Sequence, residues 1–346
     1  MTQKAYPIHQ YIDRKSGEVR TEKLVADALV RRLYSSVRER APALFRAAVS
    51  RRASSLLGAL NYDAPLSLRL SSPSRMMRAL GIDLRELRDA PETLDTARKI
   101  FERKIRFEKF RPLPEDPRAV VAPSDARVAV GSLSETSVFF IKEKFFSFPE
   151  LLGENFPHTK RFADGDFAVF RLTPDKYHYN HVPATGVVRA VYELGGAFHA
   201  CNPAAVCEVL TPNSKNRRVV TLLDTDVPGG SGVGLVAMAE VAALMIGEIV
   251  QCYSESGYDA PRALRPGMLL RRGNVKSLFR PGSSTVILLF EKDRVAFCED
   301  LLRNARDARA ISRYSGICGR TCVETDLRAR EIIARPRERA ASENLC

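Results

Sequence analysis

The sequence predicts an α+β protein, with a helical N-terminal region followed by a mostly antiparallel, β-rich domain. Two observations predict it. Between about residues 20 and 110, apolar residues recur at helical spacing; from about residue 118 they fall into short β-branched runs separated by turn residues. In the first part Leu24 and Ala28, then Val25, Leu29 and Leu33, lie one turn apart. Pro42 suits a first helical turn. Phe45, Val49, Ala53, Leu56 and Leu60 then make one apolar stripe, with Arg46, Arg51 and Arg52 on other faces. That stripe suits either a core-facing helix with solvated arginines or a basic amphipathic helix lying on an acidic membrane.

In the second part the expected strands are Ala119–Ala122, Arg127–Val130, Phe167–Leu172, Gly186–Val191, Arg218–Leu223 and Thr285–Phe290. One helix is expected around Ala237–Ile249. Glu299–Ala310 and Val323–Ile333 read as charged helices or loops. The division that follows is 1–112 helical, 113–334 a β-rich domain and 335–346 a flexible tail.

Charge and cysteines bound the function. The 54 basic and 41 acidic residues leave a formal net charge of +13, which attracts nucleic acid or anionic lipid. No zinc-knuckle, RRM or helix-turn-helix signature accompanies it, so no nucleic-acid partner is expected. No apolar run is long enough to span a bilayer, and Met1–Pro7 is not followed by the apolar core of a secretory leader. The seven cysteines (201, 207, 252, 298, 318, 322 and 346) are odd in number and fit no disulfide framework, which predicts free thiols in a reducing compartment. Pro228–Gly234 lacks the lysine and spacing of a phosphate loop and reads as a turn.

The most informative stretch runs from Phe279 through Arg-Pro-Gly-Ser-Ser-Thr to Phe290. A turn carrying Gly282, Ser283, Ser284 and Thr285 stands directly before a β-branched run. A hydroxyl there can be aimed at its own preceding carbonyl. Attack gives an ester by N→O acyl shift; elimination then cuts the chain and leaves a pyruvoyl group at the new N-terminus. Upstream lie Ala122-Pro-Ser-Asp125 and Arg171-Leu-Thr-Pro-Asp-Lys-Tyr-His178-Tyr-Asn-His181-Val-Pro, which supply an acid and two histidines.

With these three ordered elements the chain resembles the phosphatidylserine decarboxylase family, in its longer type II-like branch. The resemblance extends to Tyr11–Glu18, Arg32–Tyr34, Arg111-Pro112, Phe140–Lys142 with Leu151–Gly153, Asn202-Pro203, Asn216–Arg218 and Val323–Thr325. It implies a self-processing pyruvoyl enzyme that converts phosphatidylserine to phosphatidylethanolamine and carbon dioxide through an imine, with no pyridoxal phosphate and no metal. It further implies that Ser284 is the processed residue, cut from Ser283. Cleavage at Gly282-Ser283 is the alternative, since glycine before the scissile bond eases strain. His181 is expected to take the serine proton, oriented by Asp125. His178 is expected on the substrate side, and region 1–112 against an anionic phospholipid membrane. The protein would then be peripheral to that membrane, facing a reducing compartment, and able to form a homodimer. The family's aspartate is followed by glycine, here by Ala126, and its histidine element commonly carries an arginine where Asn180 stands. Two other functions remain open: decarboxylation of a soluble amino acid, and a non-catalytic lipid-binding relative.

Overall fold

The computed structural model describes residues 8–24, 73–134, 147–196, 199, 203–208, 212–242, 248–281, 284–318 and 320–338. The basic amphipathic stretch Pro42–Leu60, the Phe140–Lys142 segment, Gly282, Ser283 and the end of the tail (339–346) lie outside them.

The strands in chain order are β1 (Gln10–Asp13), β2 (Val19–Thr21), β3 (Val120–Val121), β4 (Ala126–Ser132), β5 (Asp166–Leu172), β6 (Tyr179–His181), β7 (Gly186–Leu194) and β8 (Arg218–Asp224). They continue as β9 (Leu235–Ala242), β10 (Ile249–Gln251), β11 (Leu269–Leu270), β12 (Val275–Phe279), β13 (Ser284–Phe290), β14 (Val295–Phe297), β15 (Glu324–Leu327) and β16 (Ile332–Pro336). Ten of them form one sheet in the order β11-β7-β8-β9-β13-β5-β4-β15-β1-β2. All its pairings are antiparallel except β1 with β15. Two three-stranded sheets, β10-β12-β6 and β14-β16-β3, accompany it.

β13 is the spine of this arrangement. It pairs along its whole length with β5 on one side and β9 on the other. Its alternate residues serve two cores. Val286, Leu288 and Phe290 join Phe170, Leu172, Met238 and Phe279 on one face. Ile287 and Leu289 join Phe167, Val169, Ala239 and Val241 on the other.

Each of the six expected strands lies at an observed strand. The helix expected at Ala237–Ile249 is not there: 237–242 belong to β9 and Ile249 opens β10. A central strand covered on both faces reads as a continuous apolar run, which periodicity cannot tell from a buried helix. Val323–Ile333 likewise forms β15 and the start of β16, not helix, because the charge that suggested a surface is buried: Glu324 is ion-paired with Arg171 at 2.5 Å. Glu299–Ala305 is helical as expected. The N-terminal region is less helical than expected. Its described part opens with β1 and β2, then holds the short helices Pro73–Ala79, Ala97–Phe101 and Phe107–Phe110. Of the tail, Arg335 and Pro336 pair with β14. No helix among the described residues is long and apolar enough to cross a membrane.

Candidate active site

Between Phe279 and Ser284 the chain passes from one sheet to another. β12 ends at Phe279 in the three-stranded sheet, and Ser284 opens β13 in the ten-stranded sheet. Ser284 sits opposite Leu172 and Ala242, fully buried, and its Oγ has no hydrogen-bond partner among the described residues. A buried hydroxyl left unpaired is uncommon and costs free energy. It faces the same interior side as Glu240, whose backbone partner is Val286.

His178 immediately precedes β6 and His181 is its last residue; the strand runs antiparallel to β12. The Phe279 N–H donates to the His178 carbonyl at 3.1 Å, so His178 stands at the end from which the turn leaves. His181 pairs with Val275 at the other end, about 10 Å along the strand at 3.3 Å per residue. Between them, Asn180 points at the ten-stranded sheet and donates to Glu240 Oε1 at 3.3 Å and to Ser277 Oγ at 3.0 Å. Adjacent strand residues point to opposite faces, so the His181 ring points away from Glu240.

The surroundings of His181 fix its tautomer. Nδ1 lies 2.8 Å from the Gly273 carbonyl, which can only accept, so Nδ1 carries the proton. Nε2 is then a bare lone pair, 3.2 Å from the Tyr177 hydroxyl. Tyr177 in turn meets the Tyr258 hydroxyl at 2.7 Å, and Tyr258 accepts from the Ile105 N–H at 3.0 Å. Burial is the main cause that brings the His181 pKa down to about 4, aided by the Arg330 charge and opposed by the Gly273 carbonyl. At neutral pH this imidazole is uncharged and its Nε2 can accept a proton.

Asp125 does not orient that ring. Its carboxylate accepts from Arg111 Nε at 2.9 Å and Nη2 at 2.7 Å, and from the Ala329 N–H at 2.8 Å. Arg111 also grips Glu86, at 3.0 and 2.9 Å. Burial would raise the Asp125 pKa, but the Arg111 charge and its hydrogen bonds hold it well below the usual carboxylate range. The expected Asp–His hydrogen bond is thus replaced by two separate supports: Gly273 and Tyr177 for His181, Arg111 for Asp125. The alanine after Asp125 needs no glycine-like backbone, since it begins β4.

His178 is buried with its ring stacked on Phe101 at 3.6 Å between centroids and 28° between planes. Neither ring nitrogen has a hydrogen-bond partner among the described residues. Burial, with the Arg103 charge, pushes its pKa well below the ordinary histidine value.

Behind Asn180 lies a charge network that the sequence reading missed. Lys276 and Glu240 form a fully buried ion pair at 2.7 Å. Gln251 donates to Glu240 at 2.7 Å and accepts from Lys276 at 2.8 Å, and Ser277 Oγ also donates to Glu240. The signal was one acid inside the apolar run Leu235–Ala242 and one lysine inside Val275–Phe279. Lys276→Met leaves the carboxylate buried without its cation, and such a loss costs about 3–5 kcal/mol. We expect a correspondingly lower urea midpoint; an unchanged midpoint would show that the pair is not needed for stability.

Among the described residues, His178 and His181 share no third ligand. The one group of side chains with metal-ligand spacing among the described residues is His9, Glu22 and Glu324. Arg171 occupies those carboxylates at 2.5–3.0 Å, so the group reads as a buried ion network. Pro228–Gly234 is the connection between β8 and β9, where Ser231 Oγ accepts from the Thr185 N–H at 2.9 Å.

Comparison with known proteins bears on this geometry. Residues 97–313 match the family model of phosphatidylserine decarboxylase. The chain is 28% identical over 299 residues to a protein of Schizosaccharomyces pombe named phosphatidylserine decarboxylase proenzyme 3, covering 85% of this chain and 29% of that one. It is 31% identical over 261 residues to phosphatidylserine decarboxylase proenzyme 2 of rice (Oryza sativa subsp. japonica), covering 72% of this chain and 38% of that one. A phosphatidylserine decarboxylase proenzyme of Fusobacterium nucleatum is 26% identical over 308 residues, covering 89% of this chain and 95% of that one. The chain therefore spans about a third of the length of its fungal and plant relatives and nearly all of the bacterial one.

Proposed function

Since the chain belongs to the phosphatidylserine decarboxylase family, we propose that it is a self-processing, pyruvoyl-dependent phosphatidylserine decarboxylase. The observation that carries this reading is Ser284: a buried hydroxyl with no partner among the described residues, at the head of the central strand, where the chain has just passed from one sheet to another. A pyruvoyl group at that position would supply the carbonyl electron sink for loss of carbon dioxide. The residues present suit it. Ser284 is the first residue of β13, so a new N-terminus there stays anchored by pairing with β5 and β9.

The chain's own groups then divide the proton work. His181, neutral with a bare Nε2, is the proposed base for self-cleavage, although its ring points away from Glu240, the side that Ser284 faces. Asp125, through Arg111 and the Ala329 amide, positions the strands around it. His178 is the proposed substrate-side group. A second reading is favoured by one observation: His178, not His181, lies at the turn end of β6 and has both ring nitrogens free of partners. In that reading His178 serves both steps. His178→Ala decides between them. Intact cleavage with decarboxylation lowered at least about a hundredfold, the usual size of a general acid–base contribution, keeps it on the substrate side. Uncleaved protein moves it into processing, and full activity removes it from the site.

The departure at Asn180 does not by itself argue for a soluble substrate, because Asn180 faces Glu240 and Ser277 and helps join the sheets. Parallel assays on phosphatidylserine vesicles and on free amino acids test the substrate class; turnover of a free amino acid alone would overturn the lipid reading. A protein that never cleaves would be the non-catalytic relative.

Peripheral attachment to an anionic membrane belongs to the same proposal, supported by the +13 charge and the stripe Phe45, Val49, Leu56 beside Arg46, Arg51 and Arg52. Each basic residue near such a surface contributes about 1 kcal/mol. Charge reversal of the three arginines to Glu should weaken sedimentation with phosphatidylserine-containing vesicles, and salt should weaken it in the parent. A folded reversal variant that sediments like the parent would place the membrane surface elsewhere.

A further inference from the structure

Arg272 and Arg330 are buried, at 7% and 8% exposure, with neither an ion pair nor a full set of hydrogen bonds among the described residues. Arg111 is paired with Asp125 and Glu86, Arg171 with Glu22 and Glu324, and Arg127 with Glu22. Arg103 spends its hydrogen bonds on the carbonyls of Ile100 and Asp175, and Arg218 on those of Leu151, Ser214, Asn216 and Glu150. Among the described residues, no carboxylate lies within 4.0 Å of the Arg272 or Arg330 guanidinium. Arg272 donates from Nη2 to the Pro114 carbonyl at 2.8 Å, and its buried Nη1 has no partner among the described residues. Among the described residues Arg330 makes one long hydrogen bond, Nη1 to the Phe107 carbonyl at 3.4 Å, and its buried Nε has no partner. The nearest acids, Asp116 and Glu108, act on them only at a distance, and Arg330 feels the charge of Arg272 as repulsion. Two buried cations that repel each other, each with an unused N–H, call for an anion.

Their position ties that anion to the candidate site. The Arg330 guanidinium lies 4.9 Å over the Phe107 ring, and Phe107 meets the His181 ring edge-on at 4.8 Å. Arg272 precedes Gly273, whose carbonyl holds His181 Nδ1. A Cβ on Gly273 would come within 3.2 Å of Arg330 Nε, so the glycine and the guanidinium are in close approach. Arg330 also holds φ at +70°, a conformation that non-glycine residues seldom adopt and that clusters at functional sites.

We propose that Arg272 and Arg330 form a subsite for the phosphodiester of the lipid headgroup, an inference that rests on the decarboxylase reading above. A substrate of that class carries two anions, and the chemistry chooses between them. A guanidinium clamp on the carboxylate would stabilise the charge that the reaction must discharge and so favour the ground state. The phosphodiester keeps its charge from substrate to product. Binding it is uniform along the reaction, and losing that binding raises KM with little change in kcat.

The test uses the full chain after cleavage, with phosphatidylserine in mixed micelles. Glycerophosphoethanolamine serves as the phosphodiester probe without carboxylate, serine as the carboxylate probe without phosphodiester, and inorganic phosphate as the free anion. Binding of the first is also measured by calorimetry, without turnover. Arg272→Gln and Arg330→Gln should each raise KM by about tenfold or more, the scale of a lost charged hydrogen bond, with kcat within about twofold. They should weaken glycerophosphoethanolamine by the same factor and leave inhibition by serine unchanged. Should Arg330→Gln fail to fold, Arg272→Gln and the charge-keeping Arg330→Lys carry the same test, because loss of the planar fork still raises KM. An unchanged KM in the folded variants overturns the subsite. So does a loss confined to serine, which would assign the pair to the carboxylate, or one confined to inorganic phosphate, which would make it a free-anion site. A cleaved parent that binds glycerophosphoethanolamine but does not turn over phosphatidylserine would sink the decarboxylase reading and leave the anion subsite standing.

Discussion

Ser284→Ala is expected to give a single uncut chain with no decarboxylation above background. The parent should show two chains by denaturing mass spectrometry, the smaller spanning 284–346 with a blocked N-terminus. The argument separates chemistry from folding. Ser284 Oγ is buried with no partner among the described residues, so its removal deletes an unsatisfied polar group and leaves a methyl in an apolar core shared with Leu172 and Ala242. Such a change is close to neutral or slightly stabilising, and the strand's pairing is backbone pairing. Loss of cleavage in a protein with the parent's thermal midpoint is therefore loss of the nucleophile. Ser283→Ala is the control, and it should still cut before residue 284. A cut in Ser284→Ala together with none in Ser283→Ala would move the site to Gly282-Ser283. A single intact chain in active parent protein would end the self-processing proposal.

The central strand was legible because its two signals agree. The turn residues and the β-branched run Thr285–Phe290 say the same thing, and the run is buried on both faces as it reads. β9 misled because its composition, rich in alanine with one glutamate, carries no β-branched excess, and only its neighbours β8 and β13 make it a strand. β15 misled because Glu324 is charged in sequence but buried against Arg171, 153 residues away. The same limit applies to the site. Asp125, His178 and His181 stand out as residue types in order, but their partners do not. Gly273, 92 residues beyond His181, supplies only a carbonyl, which any residue could. Glu240 and Lys276 find each other across two sheets. Pairings of this kind are set by topology, and a local pattern holds no record of them.

Asp125→Asn should be strongly destabilising. The carboxylate receives two parallel hydrogen bonds from Arg111 and one from the Ala329 amide. Asparagine has nearly the same shape, but its NH₂ would face an Arg111 N–H, donor against donor, and the arginine would lose half of its buried counter-charge. Breaking a buried pair from one side costs about 3–5 kcal/mol; Glu86 remains to Arg111, so the lower end, about 3 kcal/mol, is expected. The comparison is made in the Ser284→Ala background, where both proteins are single chains. Its pH dependence carries a sign. The folded-state pKa of Asp125 is depressed, so its contribution is complete above the unfolded value near 3.9 and is lost as pH falls from there through the folded value. From the Asp125 titration alone, the gap in urea midpoint between parent and variant should then be constant from pH 5 to 8 and close below about pH 4. A second limb lies above it. His181, at about 4 when folded, and His178, lower still, take up protons more readily unfolded, so stability falls as pH drops from about 6.5 to about 4. That limb should be slightly larger in the variant, because the Asp125 charge raises the pKa of both rings in the parent. Equal midpoints at pH 7, or a gap that persists unchanged below pH 4, would refute the Arg111–Asp125 clamp. A gap that opens only between pH 4 and 6.5 would instead return Asp125 to the direct contact with His181 that the structure replaces.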